Sequence, residues 1–185
     1  GPVGMQLLGD FGADVIKVER PGSGDWSRMW GPYVAAVSLP FAWLNRNKRG
    51  IAVNLKHEEG KRIVRQLLTD ADIIIENFRK GAMDRLKLGY ESLAAENPGL
   101  IYCSITGFGQ TGPYAARAGY DFLLQGMGGL MSITGQPDGA PGAGPVKVGV
   151  AVCDLFTGMY AATTILAALR HRDRTGRGQH IDCAL

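Results

Sequence analysis

Asp154 is the acid best placed for chemistry. The apolar run Val146 to Val152 reads as a strand. After it, Leu155, Phe156, Met159, Tyr160, Thr163, Leu166 and Leu169 mark one face of a long helix that reaches Arg170. Asp154 therefore stands at a strand-to-helix corner, where α/β proteins build their sites. As an N-cap its side chain would accept a backbone N–H at the helix start. The same N–H groups and the helix dipole would keep the carboxylate ionised and could stabilise an oxyanion beside it. Asp121, in Arg117-Ala118-Gly119-Tyr120-Asp121, is a second acid at a helix start, and its neighbours favour a cap or loop-ordering role.

The cations fall into three sets. Arg20 follows the first strand, while Arg46, Lys48, Arg49 and Lys56 surround the second; both sets sit where they could meet phosphates. Arg170, Arg172, Arg174 and Arg177 fill the turn after the long helix and read as a solvated helix end. The three histidines, His57, His171 and His180, occupy surface or structural settings. Cys103, Cys153 and Cys183 have apolar neighbours and no metal-ligand spacing, so they read as buried, reduced thiols, and no metal site is expected. Walker, Gly-x-Ser-x-Gly and His-Glu-x-x-His motifs are absent, and Gly22-Ser23-Gly24 lacks the third glycine of a dinucleotide fingerprint.

The elements that must position these groups alternate. Asp14–Glu19, Ile51–Leu55, Asp72–Glu76 and Leu100–Ile105 read as strands, the third buried on both faces. Helical patterns cover Glu58–Thr69, Ala82–Leu86, Tyr90–Glu96 and Asp121–Leu130. Gly107, Gly109 and Gly112 mark a loop, Gly135 to Pro145 another, and the chain ends in a strand around Ile181-Asp182-Cys183. This order predicts a mainly parallel, Rossmann-like α/β sheet flanked by helices, with ligands at the carboxyl ends of its strands. The loops after Val18, Ile75, Ile105 and Val152 are the ones to watch.

With 45% hydrophobic and 20% charged residues, the 185-residue chain has an ordinary globular composition. Its net charge of +3 is too small to argue for nucleic acid. No apolar run reaches bilayer-spanning length and no signal segment opens the chain, so neither a membrane nor nucleic acid is an expected partner and the cytoplasm is the expected location.

Read as whole segments, the chain resembles the class III coenzyme A transferases, the family of formyl-CoA transferase and carnitine CoA-transferase. The matching stretches run from Leu8-Gly9-Asp10-Phe11-Gly12-Ala13-Asp14-Val15-Ile16-Lys17-Val18-Glu19-Arg20-Pro21-Gly22-Ser23-Gly24-Asp25 through Asn45-Arg46-Asn47-Lys48-Arg49. They continue at Glu76-Asn77-Phe78-Arg79-Lys80-Gly81-Ala82-Met83-Asp84-Arg85, Ala118-Gly119-Tyr120-Asp121 and Thr175-Gly176-Arg177-Gly178-Gln179. The family's catalytic aspartate opens an Asp-x-x-x-Gly-Met/Leu pattern, here Asp154 to Met159.

The resemblance implies transfer of CoA from an acyl-CoA to a small carboxylic acid through aspartyl anhydride and aspartyl-CoA thioester intermediates on Asp154. It implies a CoA site lined by Arg20, Val53, Lys56, Asn77, Phe78 and Arg85, with CoA as substrate and no tightly bound cofactor. Arg20, Lys56 and Arg85 would face phosphates; Val53 and Phe78 would flank adenine or pantetheine, or could be core.

It further implies that residues 1–185 are part of the family's large domain, lacking its first strand, small domain and C-terminal return, and that the full-length protein is an interlocked homodimer. Related α-methylacyl-CoA racemases carry His where this chain has Tyr120, which removes a base that titrates near neutral pH. A non-catalytic CoA-binding module is the third reading. The Tyr102–Pro113 and Val148–Asp154 stretches are most similar to the branch that moves CoA between dicarboxylic acids such as succinate and glutarate.

Overall fold

The Val15–Glu19 run forms β1, and its backbone pairs in parallel with β4, Lys48–Ala52, placing Val15 opposite Lys48 and Glu19 opposite Ala52. The second strand thus begins three residues before the apolar run that suggested it, because the β1 backbone sets the register. Past its end, the Val53 N–H still donates to the Glu19 carbonyl at 2.8 Å. A second parallel group joins β5 (Ile73–Glu76), β6 (Ile101–Thr106) and β7 (His180–Ala184), in the order β5-β6-β7. The computed structural model describes all residues, 1–185, and bears out the mainly parallel α/β architecture.

β6 is the strand buried on both faces, a part the sequence had suggested for β5, whose first three residues are only half-buried. Its side chains alternate as a pleated strand requires. Ile101, Cys103 and Ile105 face a layer made by α1 (Pro2–Asp10) and α8 (Val152–Thr175), joined by Leu8, Ala161, Ala162, Ile165 and Ala168. On the other face, Tyr102 packs with Val64 of α3 (Glu58–Thr69), Met83 of α4 (Ala82–Arg85) and Leu93 of α5 (Tyr90–Glu96). Alanines on α8 let the helix lie close to the sheet. Ile165, fully buried there, contributes about 1.5–3 kcal/mol through burial.

Between β1 and β4 lie a 3₁₀ turn (Trp26–Met29), the hairpin β2–β3 (Tyr33–Val34 and Val37–Ser38) and α2 (Leu39–Asn45), none of which the periodicity predicts. The helix expected over Asp121–Leu130 is two, α6 (Asp121–Met127) and α7 (Leu130–Thr134), parted where Gly129 adopts φ +81°.

Val146 to Val152 is not a strand. Its N–H groups find other acceptors: Val146 donates to the Met131 carbonyl at 3.1 Å, Val148 to the Gln125 side chain at 2.8 Å, and Val152 to the Val150 carbonyl at 2.9 Å. α8 also corrects the view that no apolar run is long enough to cross a bilayer. By length and composition this 24-residue helix passes that test, an 18-residue stretch of it having a mean hydropathy of 1.5. In this fold the helix packs on α1, β6 and β7.

Candidate active site

α1 and α8 cross at two glycines. A Cβ on Gly4 would stand 2.7 Å from the Gly158 carbonyl oxygen, and one on Gly158 would stand 3.1 Å from the Val3 Cβ. Gly158 is the glycine of the Asp154-x-x-x-Gly pattern, so the pattern has a packing reason: only a helix without a side chain there admits α1 so closely. The crossing brings Gly1, at the start of α1, beside two residues singled out from the sequence. An added Cβ on Gly1 would lie 3.8 Å from the Asn77 Cγ, and the Gly1 nitrogen lies near Asp154. The end of β5 and the start of α8 therefore share one neighbourhood.

Asp154 is exposed, in the first turn of α8. It is not the N-cap; Ala151 holds that position and has no polar side chain to offer. The cap comes from another helix. Asp121 Oδ1 accepts the N–H of Cys153 at 2.7 Å and of Asp154 at 3.2 Å. These are the groups that the sequence reading left free to stabilise the Asp154 carboxylate. With them taken, the balance reverses: partial desolvation, and then the Asp121 carboxylate, hold the Asp154 carboxyl above the ordinary range. A carboxylate so raised is a stronger nucleophile once ionised.

Asp121 reaches this position through a second backbone contact. Gly107, just after β6, meets Gly119 so closely that a Cβ on Gly107 would lie 2.3 Å from the Gly119 Cα. The Ala118-Gly119-Tyr120-Asp121 motif is thereby fixed to the carboxyl end of β6. Cys153, the half-buried thiol beside both acids, is pushed up by desolvation and then by their charges. Cys103 and Cys183 are buried, as anticipated.

The six residues implied to line a CoA site divide. Arg20, Asn77 and Phe78 sit just past the carboxyl ends of β1 and β5, and Lys56 lies a few residues beyond β4. Arg85 closes α4, its guanidinium 3.4 Å from where a Gly81 Cβ would stand. Phe78 is 46% exposed and so is not a core residue. Val53 is 6% exposed and packs in the core, so its side chain is withdrawn from any ligand.

Ion pairing sorts the cations. Arg46 pairs with Asp10, Arg49 with Asp14 at 2.5 Å, and the Lys48 ammonium donates to the Pro2 and Leu44 carbonyls. Burial, and then Lys17 nearby, bring the Lys48 pKa down to about 8. Each of these three already has a partner in the fold. Arg20, Lys56 and Arg85 form no salt bridge; Arg20 donates only to the Gly24 carbonyl and lies 5.4 Å from the Trp26 ring. Arg172, read as part of a solvated helix end, instead pairs with Asp72 at 2.9 Å. His57 caps α3 by accepting the Glu59 N–H, and His180 lies 3.0 Å from the Ser104 hydroxyl and stacks on Tyr90.

What the sequence reading missed is that Asp121 caps a helix other than its own. The signal was present in part: Gln125 lies four residues on, one helical turn away, where an amide can bond a carboxylate.

The chain is 55% identical over 192 residues to succinate–glutarate CoA-transferase of Agrobacterium fabrum, covering all of this chain and 47% of that protein. It is 51% identical over 186 residues to succinyl-CoA:glutarate CoA-transferase of Mus musculus, again over the whole chain and 42% of the relative. Among solved structures, a CAIB/BAIF family protein from Brucella suis superposes with a TM-score of 0.93 at 54% identity, over 99% of this chain and 48% of that one. The chain thus spans about half the length of the relatives it matches. CoA-transferase family III matches it over residues 1–185. The chain belongs to CoA-transferase family III.

Proposed function

We propose that the protein carrying this chain transfers CoA from an acyl-CoA donor to a carboxylic acid, with Asp154 as the covalent carrier. Residues 1–185 supply part of its large, CoA-binding and catalytic domain. The observation that carries this reading is the Asp154 carboxylate itself, exposed to an incoming thioester at the head of α8.

Each step moves one acyl bond. An Asp154 oxygen attacks the donor thioester carbonyl, and CoA leaves as thiolate, giving a mixed anhydride. The thiolate attacks the aspartyl carbonyl of the anhydride and expels the donor's carboxylate, leaving an aspartyl-CoA thioester. The acceptor carboxylate then attacks the same carbonyl, releasing CoA thiolate and forming a second anhydride. Attack of the thiolate on the acceptor's acyl carbon restores the Asp154 carboxylate and releases the new thioester. Covalent catalysis here replaces one difficult exchange by several of matched reactivity.

The unpaired Arg20, Lys56 and Arg85 are suited to the phosphates of CoA, and the exposed Phe78 and Asn77 to its adenine or pantetheine portion. Dicarboxylates such as succinate and glutarate are the proposed acyl groups, a reading supported by the names of the relatives. The full-length protein is proposed to be a homodimer, supported by the exposed apolar side chains Trp26, Trp30 and Trp43 and by Phe156, Met159 and Tyr160 on α8.

The test is trapping. The full-length protein incubated with succinyl-CoA and hydroxylamine is expected to yield a hydroxamate on Asp154 by mass spectrometry. An Asp154→Ala variant should bind CoA and transfer nothing; appreciable transfer by that variant would overturn the reading.

A further inference from the structure

Gln125 is a buried amide on α6, 1% exposed, and it does not reach the exposed carboxylate of Asp154. It makes three hydrogen bonds. Its Nε2 donates to Asp121 Oδ2 at 2.5 Å and to the Val150 carbonyl at 3.3 Å, while its Oε1 accepts the Val148 N–H at 2.8 Å. The amide has one workable orientation, since reversing it would set an oxygen against the Asp121 carboxylate. Asp121 is engaged at both oxygens in turn, with Oδ2 on Gln125 and Oδ1 on the N–H groups of Cys153 and Asp154. An ordinary N-cap belongs to the helix it caps. Here the cap lies 33 residues upstream of Asp154, and the segment entering α8 is held by the amide that holds the cap.

We propose that Gln125 and Asp121 act as positioning residues for the reaction at Asp154: the buried amide locks the Asp121 carboxylate, and that carboxylate locks the first turn of α8. The proposal rests on Asp154 being the nucleophile. Attack on a thioester needs the carboxylate oxygen within a narrow range of distance and angle, and a displacement of about 1 Å can lower the rate about 100-fold. Removing Gln125 would leave the Val148 N–H and one Asp121 oxygen without these partners, loosening both sides of the turn.

The experiment compares wild type, Gln125→Met, Asp121→Ala and Asp121→Asn in the full-length protein. It measures the rate of hydroxylamine-trapped modification of Asp154, together with kcat and KM for succinyl-CoA. Gln125→Met and Asp121→Ala should lose about 100-fold in trapping rate and in kcat, with KM within about twofold of wild type. Asp121→Asn keeps an oxygen for the two N–H groups but turns its amide nitrogen toward Gln125 Nε2, donor against donor, so it should fall between wild type and Asp121→Ala in trapping rate, an ordering that general damage to the fold would not give. Asp121 is only half-buried, so its variants carry the test should Gln125→Met fail to fold. A wild-type adduct that forms equally fast in folded Gln125→Met and Asp121→Ala would overturn the clamp alone. No adduct on wild type would overturn the Asp154 reading and the clamp with it.

Discussion

The Asp154 N–H donates to Asp121 Oδ1 at 3.2 Å, so the proposed nucleophile's own backbone is held by a second carboxylate from another helix. One negative charge thus fixes the turn and also acts on the side chain that the turn carries. Desolvation is the larger of the two influences that raise the Asp154 carboxyl, and this charge is the other.

That charge sets a pH limit. Asp154 attacks only when ionised, so activity should fall as pH drops through its raised pKa. In Asp121→Asn the acceptor oxygen stays but the charge is gone, so the Asp154 pKa should fall and the acid limb of the kcat profile should move to lower pH. Desolvation, the larger influence, is unchanged by the substitution. A pH–rate profile of the two proteins checks this, and an acid limb moving upward would contradict the electrostatic account.

The Gly4–Gly158 crossing is a packing constraint with a predictable cost. A Cβ on Gly4 would lie 2.7 Å from a backbone oxygen, which no rotamer change can relieve. Gly4→Ala should therefore destabilise the protein by about 1–3 kcal/mol, the usual cost of overpacking. Urea denaturation of variant and wild type measures it. Gly12→Ala offers a contrast, since nothing lies within 4 Å of its added Cβ and its cost comes only from φ +103°.

Three cations without carboxylate partners should contribute to binding and little to chemistry. Arg20→Gln, Lys56→Gln and Arg85→Gln should each raise KM for succinyl-CoA about tenfold with kcat nearly unchanged, since a charged hydrogen bond contributes about 1.5–3 kcal/mol. Arg62→Gln removes an arginine already paired with Glu59 on α3 and should leave KM unaltered. Steady-state kinetics on the four variants decides whether pairing was the right criterion.

Glu76, at the end of β5, is buried, and desolvation raises its carboxyl despite bonds from the Ser104 hydroxyl and the Phe78 N–H and the charge of His180. With the folded pKa above the unfolded one, its contribution to stability is fully present below the unfolded value. That contribution is lost as pH rises through the folded value. Glu76→Gln, which keeps an acceptor for Phe78, should gain stability over wild type as pH rises across that window. Thermal melts at several pH values would show it; a gain confined to acid pH would refute the sign.

Much of the architecture was legible because it is local. Glu58–Thr69 keeps a 3.6-residue apolar period and forms α3 with those bounds, and Leu100–Ile105 is β6 shifted by one residue. Asp154 could be singled out from an apolar helix face and a family pattern, neither of which needs a neighbour in space. Arg20, Lys56, Asn77, Phe78 and Arg85 were named by resemblance, and their placement near strand ends and on α4 fits the alternation of strands and helices.

The rest depended on contacts between distant residues. Val146–Val152 has a strand's composition, but no open strand edge receives it; the Gln125 side chain and the Met131 carbonyl accept two of its N–H groups instead. Val53 looks like any valine at the end of a strand until α3 and α5 close over it. Which arginines remain free was undecidable in one dimension, since Asp10 lies 36 residues from Arg46 and Asp14 lies 35 from Arg49. Periodicity fixes which side of an element turns inward. Only the packed chain decides which of its polar groups already have partners, and so which are left for a substrate.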